Sequence, residues 1–456
     1  DCSFIQGDYK TAALSYGEVA DSYYNPDDIY PYWQAAVAYG LDGKLKKKIE
    51  RLKEVKDANP ESEHYAPAML DLGRSYVENK DAKSASDCFD LVVRGVKDSS
   101  YVAQALLEKA MMARNAKRKE EALGYYKRVA ENMTGTEYAD NALLAIESIY
   151  QSEGRAKDYL AYIENIGKGG SKTEEEKDDL YFASAEQLFL DRQYDKARVT
   201  LGEYLNVWPA GRSRDKAEYY IAECYRLSGD YERARDAYES VIDKGEGLFV
   251  ETSMLRYAEL SYKLEHWQEA YLAYTSLYGK ASSTDTGKTA FVGRMRSAYR
   301  ARLYPEAENC AASVIASEAP SAELLREAEY VRAKSLLSLS QRDAAYELFT
   351  KLAKNPTDRY GAEAEYLLIQ DKFDRAEYKA VEDLVYAFSD SGTKQNYWLA
   401  RAFLVLGDSF AEQGDLRQAK ATFESVRDGY SPTSDTDDIP DNVTMRLERL
   451  AEMGEK

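Results

Sequence analysis

The stretch Asp215–Gly245 reads DKAEYYIAECYRLSGDYERARDAYESVIDKG, and its apolar positions decide the fold. Ile221, Ala222 and Tyr225 fall on one helical face, and Ala234, Ala237, Tyr238 and Val241 on another. Between the two runs stands Ser228-Gly229-Asp230. Gly229 suits the left-handed position that ends a helix, and Asp230 suits the cap that starts the next. The stretch predicts a helical hairpin. Such a hairpin cannot bury both of its apolar faces alone, so it needs neighbours of its own kind.

Neighbours recur along nearly the whole chain. A small residue one turn into each second helix marks the register: Ala12, Ala85, Ala122, Ala197, Ala234, Ala270, Ala307, Ala345, Ala380 and Ala419. Lys48 and Tyr159 fill two degenerate slots, and successive marks lie about 37 residues apart. The turn slot between helices holds Gly7, Gly43, Gly154, Gly229 and Gly414. Seven positions earlier come small residues such as Ala36, Gly73, Ala222 and Gly407. Four positions after the mark come Tyr16, Phe89, Tyr126, Tyr238, Tyr274, Phe349 and Phe423. Small opposite large predicts helices that interdigitate.

The expected architecture is all-α: a solenoid over residues 1–430 of about twelve hairpins, the first truncated. An acidic connector, 431–440, and a capping helix, 441–456, follow. In that helix Val443, Leu447 and Leu450 are expected inside, with Arg446, Glu448 and Arg449 outside. Joints such as Asn59-Pro60 and Asn355-Pro356 stop one helix, because proline cannot continue the ladder. Ser62, Thr136, Ser213 and Ser321 are then placed to cap the next. Thr173 through Glu176 reads as a capping box. The joints near 165–173, 280–288 and 389–394 are expected to be the loosest, with Gly167–Ser171 foremost. Asp1–Tyr9 aligns without a gap on Glu223–Tyr231, so the sequence is expected to open inside a first helix, with upstream repeats and any targeting signal cut away. That alignment argues against Cys2 as a lipid-modified terminus.

Composition narrows the function classes. A net charge of −19 disfavours nucleic acid and anionic lipid, which need clustered Lys and Arg. No run of apolar residues is long enough to cross a membrane. The chain has 39 Tyr against 12 Phe, which suits thin layers with wet hydroxyls and equally suits a binding surface. Cys2 and Cys224 share one slot and Cys88 and Cys310 another, too far apart in an extended array to bridge.

No constellation for chemistry stands out. His64 and His266 fall in different repeats without Cys or acid partners at ligand spacing. Gly167–Thr173 lacks the Gly-Lys-Ser/Thr end of a phosphate loop. Asp435, Asp437 and Asp438 suggest a calcium loop, yet the sixth position is not Gly and the twelfth is Arg446. Neither a cofactor nor a metal is expected, and the chain is not expected to be an enzyme.

The pattern W/Y-x2-L-G-x2-Y, then Ala, an aromatic and Pro, resembles the tetratricopeptide repeat family over almost the whole chain, with repeats longer than the family's 34 residues. The extra residues fall between hairpins. The joints around Pro60 and Pro356 are similar to those of Gram-negative envelope proteins of the TolA-binding periplasmic and outer-membrane assembly lipoprotein type. The resemblance implies a right-handed superhelix whose first helices line a concave face. Carried over slot by slot, it places Trp33, Arg74, Arg114, Phe182, Glu186 and Phe189 inward. Tyr219, Glu223, Arg226, Glu259, Tyr262, Arg296, Tyr299, Tyr330 and Lys334 follow as the candidate partner-binding set, rich in the residue types of hot spots.

The expected function is a scaffold that binds a peptide or protein segment along that face, in a bacterial periplasm or at an outer membrane, with the cytoplasm as the alternative. A glycan-binding envelope protein is the rival reading. The accessory repeat region of an enzyme with an upstream catalytic domain is a third.

Overall fold

A computed structural model describes every residue except 23, 24, 26, 433, 435, 455 and 456. Among the described residues the chain is helical; the one β feature is an isolated bridge between Asn25 and Asp28. It divides into two units, Asp1–Cys224 and Tyr225–Lys456.

The first unit holds α1 (Cys2–Ile5), α2 (Tyr9–Ser22), α3 (Tyr30–Leu41), α4 (Leu45–Glu54), α5 (Tyr65–Glu78), α6 (Ala82–Gly95), α7 (Ser99–Asn115), α8 (Lys119–Asn132), α9 (Glu137–Ser152), α10 (Ala156–Asn165), α11 (Glu174–Leu190) and α12 (Tyr194–Val207). The boundary falls inside α13 (Arg214–Leu227). The second unit continues with α14 (Tyr231–Ile242), α15 (Val250–Lys263), α16 (Trp267–Lys280), α17 (Thr284–Arg300), α18 (Tyr304–Ile315), α19 (Ala322–Ser338), α20 (Arg342–Ala353), α21 (Arg359–Asp374), α22 (Tyr378–Asp390), α23 (Asn396–Glu412), α24 (Leu416–Gly429) and α25 (Ile439–Gly454). Within each unit, consecutive helices pack as stacked hairpins, the arrangement of an α-solenoid.

Every hairpin turns in the same way. The residue two positions before each second helix has positive φ: the five glycines read from the sequence, and also Lys80, Lys117, Arg192, Glu265, Arg302, Ser340 and Ala376, at φ of 57° to 66°. The next residue's N–H donates five residues back, as in Asp230 to the Tyr225 carbonyl (3.0 Å) and His266 to the Ser261 carbonyl (2.9 Å). This satisfies carbonyls left over at the first helix's end. Asp8, Asp81, Asp230 and Asp415 then cap the second helix through a side-chain oxygen.

Nine alanine register marks, from Ala12 to Ala419, are buried at the fourth residue of their second helices. One is corrected. In α22 the fourth residue is Val381, fully buried, and Ala380 is only half-buried beside it. Small and large residues interlock as expected. A Cβ added at Gly73 would lie 2.4 Å from Phe89, and one at Gly407 would lie 2.2 Å from Phe423.

Several joints differ from expectation. Thr136 and Ser321 cap α9 and α19, and Thr173 with Glu176 forms the capping box of α11. Ser62 caps nothing; its hydroxyl donates 2.9 Å to the Asp27 carbonyl and ties one joint to the previous one. The loose Gly167–Ser171 joint contains a tight helical turn, Gly169–Ser171, with Gly169 buried. Half of the 280–288 joint is already helix, because Ser283 caps α17 at the Thr286 N–H. In α25, Val443 and Leu450 are buried, but Arg446 is not an outward residue: its Nε donates to Asp408 of α23 at 2.9 Å. Asp435 lies outside the described residues.

Candidate functional site

In the second unit the first helices of successive hairpins line a cleft of about 590 Å³. Tyr262 comes from α15, and Arg296, Tyr299 and Arg300 from α17. Glu323, Glu327, Tyr330 and Val331 come from α19. Arg359, Tyr360 and Glu363 come from α21, and Trp398 from α23. No second helix contributes. A neighbouring hollow of about 380 Å³ shares Tyr262 and Arg296 and adds Lys288, with Tyr274 and Gly293 in its lining.

The helical period explains this lining. Counted back from the left-handed turn residue, Tyr262 and Tyr299 stand three positions away, and Arg296 and Lys334 six. Tyr330 stands ten back, Glu327 and Glu363 thirteen, and Glu323 and Arg359 seventeen. These offsets fall on one stripe of an α-helix, so each first helix presents the same face to the cleft.

The polar groups are largely set against one another. Arg296 grips Glu327 with two hydrogen bonds, Nε to Oε1 at 2.8 Å and Nη2 to Oε2 at 2.7 Å. Tyr330 donates to Glu363 Oε2 at 2.7 Å, and Lys334 donates to its Oε1 at 2.8 Å. The Glu327 bond holds Arg296 firmly cationic. Burial, with the Glu363 carboxylate beside it, drives the Tyr330 phenol far above its usual value, so it stays a donor. The rings are in mutual contact: Tyr330 lies 5.0 Å from Tyr360 and 6.4 Å from Tyr299, centroid to centroid. Arg359 lies over the Tyr360 ring at 4.5 Å, and Arg300 over Trp267 of α16 at 5.5 Å.

Of the nine residues expected from sequence, the cleft gathers Tyr262, Arg296, Tyr299 and Tyr330, with Lys334 behind its Glu363 wall. Glu259 is held on α15 by Arg256 at 2.8 Å. Tyr219 and Glu223 belong to the first unit, where the Tyr219 hydroxyl donates to Glu223 at 3.2 Å and Glu223 is buried. Arg226 belongs to the second unit and lies outside the cleft lining. Sequence reasoning missed Arg300, Glu323, Glu327, Val331, Arg359, Tyr360, Glu363 and Trp398. It anchored on the C-terminal turns of the first helices, and one more step along the same stripe reaches the N-terminal turns.

Elsewhere, His64 stacks on Trp33 and lies tilted against Tyr30. His266 does have acid neighbours, Glu232 at 3.6 Å and Glu269 at 3.3 Å, contrary to expectation. Among the described residues no group of three His, Cys, Asp or Glu side chains is arranged to hold a metal, and no helix is long and apolar enough to cross a membrane.

Family profiles agree with this hairpin architecture over part of the chain. Two tetratricopeptide repeat profiles match, one over residues 216–244 and 401–431, the other over 70–139. No curated protein matches in sequence. Among solved structures, a tetratricopeptide repeat protein from Parabacteroides merdae is 14% identical, with 59% of this chain and 98% of that one covered and a TM-score of 0.33. The Cut9–Hcn1 hetero-tetramer of the APC/C gives 14%, 99%, 88% and 0.32, and yeast Tom70 gives 12%, 99%, 94% and 0.32. Over those three stretches this chain is similar to tetratricopeptide repeats.

Proposed function

We propose that the cleft of the second unit captures a segment of another protein, extended or helical, along the first-helix face. Repeats of this family generally mediate protein–protein interaction. The observation that carries the reading is the lining itself: twelve side chains, all from first helices, with Tyr, Trp and Arg predominating. These are the residue types that dominate binding energy when packed and desolvated. The envelope setting rests on the Pro60 and Pro356 joints, and fractionation of the native protein tests it.

The test is a random peptide display library panned against the full chain. Recovered peptides should bind the Tyr262→Ala, Arg296→Ala double variant at least ten-fold more weakly, with helicity and melting unchanged. Arg296 is half exposed, and such ion pairs contribute about 1 kcal/mol or less to stability. Peptides that bind the variant as well as the parent place the site elsewhere. Oligosaccharide arrays are the parallel arm, since a sugar could stack on Tyr360 and Trp398.

A further inference from the structure

Resting on that reading, we infer that the captured segment is uncharged and proline-rich: a polyproline II helix laid across the first helices, with every third residue against a ring.

Charge does not select the occupant. The lining holds Arg296, Arg300 and Arg359 against Glu323, Glu327 and Glu363, so it is neutral in sum. Several of these groups already answer one another. Arg296 grips Glu327, and Glu363 accepts from Tyr330 and Lys334. What the cleft offers instead is ring surface, from Tyr262, Tyr299, Tyr330, Tyr360 and Trp398, all half-buried.

The rings stand at a repeat. Tyr262 and Tyr299 each lie three positions before their turn residue, and Tyr360 and Trp398 each lie sixteen before theirs. Tyr330 links the two pairs through its contacts with Tyr299 and Tyr360. From α15 to α23, each first helix touches the next. Packed helices stand about 8–10 Å apart, so two rings in the same slot are about one helix width apart. A polyproline II helix advances about 9 Å in its three-residue turn and brings every third residue to the next ring. A β-strand returns to the same face after about 6.6 Å and falls short.

The polar edge of the cleft suits the same backbone. Among the described residues neither Arg300 nor the Trp398 indole N–H has an acceptor within 3.5 Å. The Tyr360 hydroxyl accepts from Arg359 Nη2, which leaves its own proton to donate. A polyproline II segment makes no internal hydrogen bonds, so each of its carbonyls can accept from these donors. An α-helix spends its carbonyls on itself. The rings are braced as well: Trp267 lies 4.8 Å from Tyr262, and Tyr366 lies 5.5 Å from Trp398. Braced rings and a preformed segment lose little freedom on meeting.

The experiment pans a random peptide library against the full chain. Recovered peptides should be enriched in proline, and free in solution they should show the circular dichroism of polyproline II. Changing their prolines to alanine should cost at least ten-fold in affinity, whereas neutralising any Asp, Glu, Lys or Arg should cost far less. A Tyr360→Ala, Trp398→Ala variant with unchanged helicity should lose at least ten-fold. The peptide changes need no variant protein, so they decide the matter even where that variant does not fold. Peptides without proline enrichment, or unmoved by the alanine change, that still depend on Tyr262 and Arg296 overturn the proline-rich segment and leave the cleft reading intact. Peptides indifferent to both protein variants overturn both, as does the recovery of no peptide.

Discussion

Gly293 of α17 presses against the ring of Tyr274 on α16: a methyl group at the glycine would lie 2.7 Å from three ring carbons. The contact joins consecutive hairpins and lies in the hollow beside the cleft. Gly73 against Phe89 and Gly407 against Phe423 repeat the device inside single hairpins. Gly293→Ala, Gly73→Ala and Gly407→Ala should each destabilise by about 1–3 kcal/mol through overpacking. Gly124→Ala and Gly202→Ala, with nothing within 4 Å of the added methyl, should stabilise by about 0.5–1 kcal/mol. Urea midpoints of the five variants check this, and uniform behaviour would refute the interlock.

The turns supply the reverse test. Lys117 and Arg302 hold φ of 59° and 58°, a region that costs an L-residue about 1–2 kcal/mol. Lys117→Gly and Arg302→Gly should therefore stabilise by up to about 1 kcal/mol, after glycine's own entropy is subtracted, and raise the urea midpoint accordingly. Gly229→Ala, at φ 84°, should lower it by a similar amount. Midpoints that move the other way would mean the turns relax out of the left-handed region.

These turns show how far the sequence could be read. Period and small–large alternation were legible because burial enforces them in every repeat. Glycine marked only five turns, since seven others adopt the same backbone at a cost that glycine-seeking cannot see. Ala380 misled because alanine was the marker, whereas the slot needs only a side chain that fits, and Val381 fits. Ser62 and Arg446 misled because each reaches a neighbouring repeat, and such contacts leave no local pattern. A third of the cleft lining was legible: Tyr262, Arg296, Tyr299 and Tyr330 followed from slots, whereas the ring contacts beneath Arg300 and Arg359 required coordinates.

Thiol chemistry should separate one cysteine from three. Cys88, Cys224 and Cys310 are buried, and burial raises their thiols, Cys88 to about 11 and Cys224 to about 12. Cys2 is exposed. At pH 8 a colorimetric disulfide reagent should titrate one thiol rapidly in the native chain and all four after denaturation. Rapid reaction of a second thiol in the native chain would contradict the packing.

Glu365 on α21 sets a pH dependence. Burial lifts its carboxyl to about 7 from the reference 4.5. The folded chain thus retains a proton that the unfolded chain releases first, so stability from this group is present below about pH 4.5 and is lost as pH rises to about 7. Glu365→Gln should flatten that decline between pH 5 and 7 while leaving other titrations in place. Parallel stability profiles for parent and variant would exclude it.

The most direct test of the cleft is photo-crosslinking of a panned peptide carrying benzophenone to the full chain, mapped by mass spectrometry. Capture along the first-helix face predicts adducts on α15, α17, α19 and α21, at or beside Tyr262, Tyr299, Tyr330 and Tyr360. Adducts on α16, α18 and α20, or only on the first unit, would contradict it.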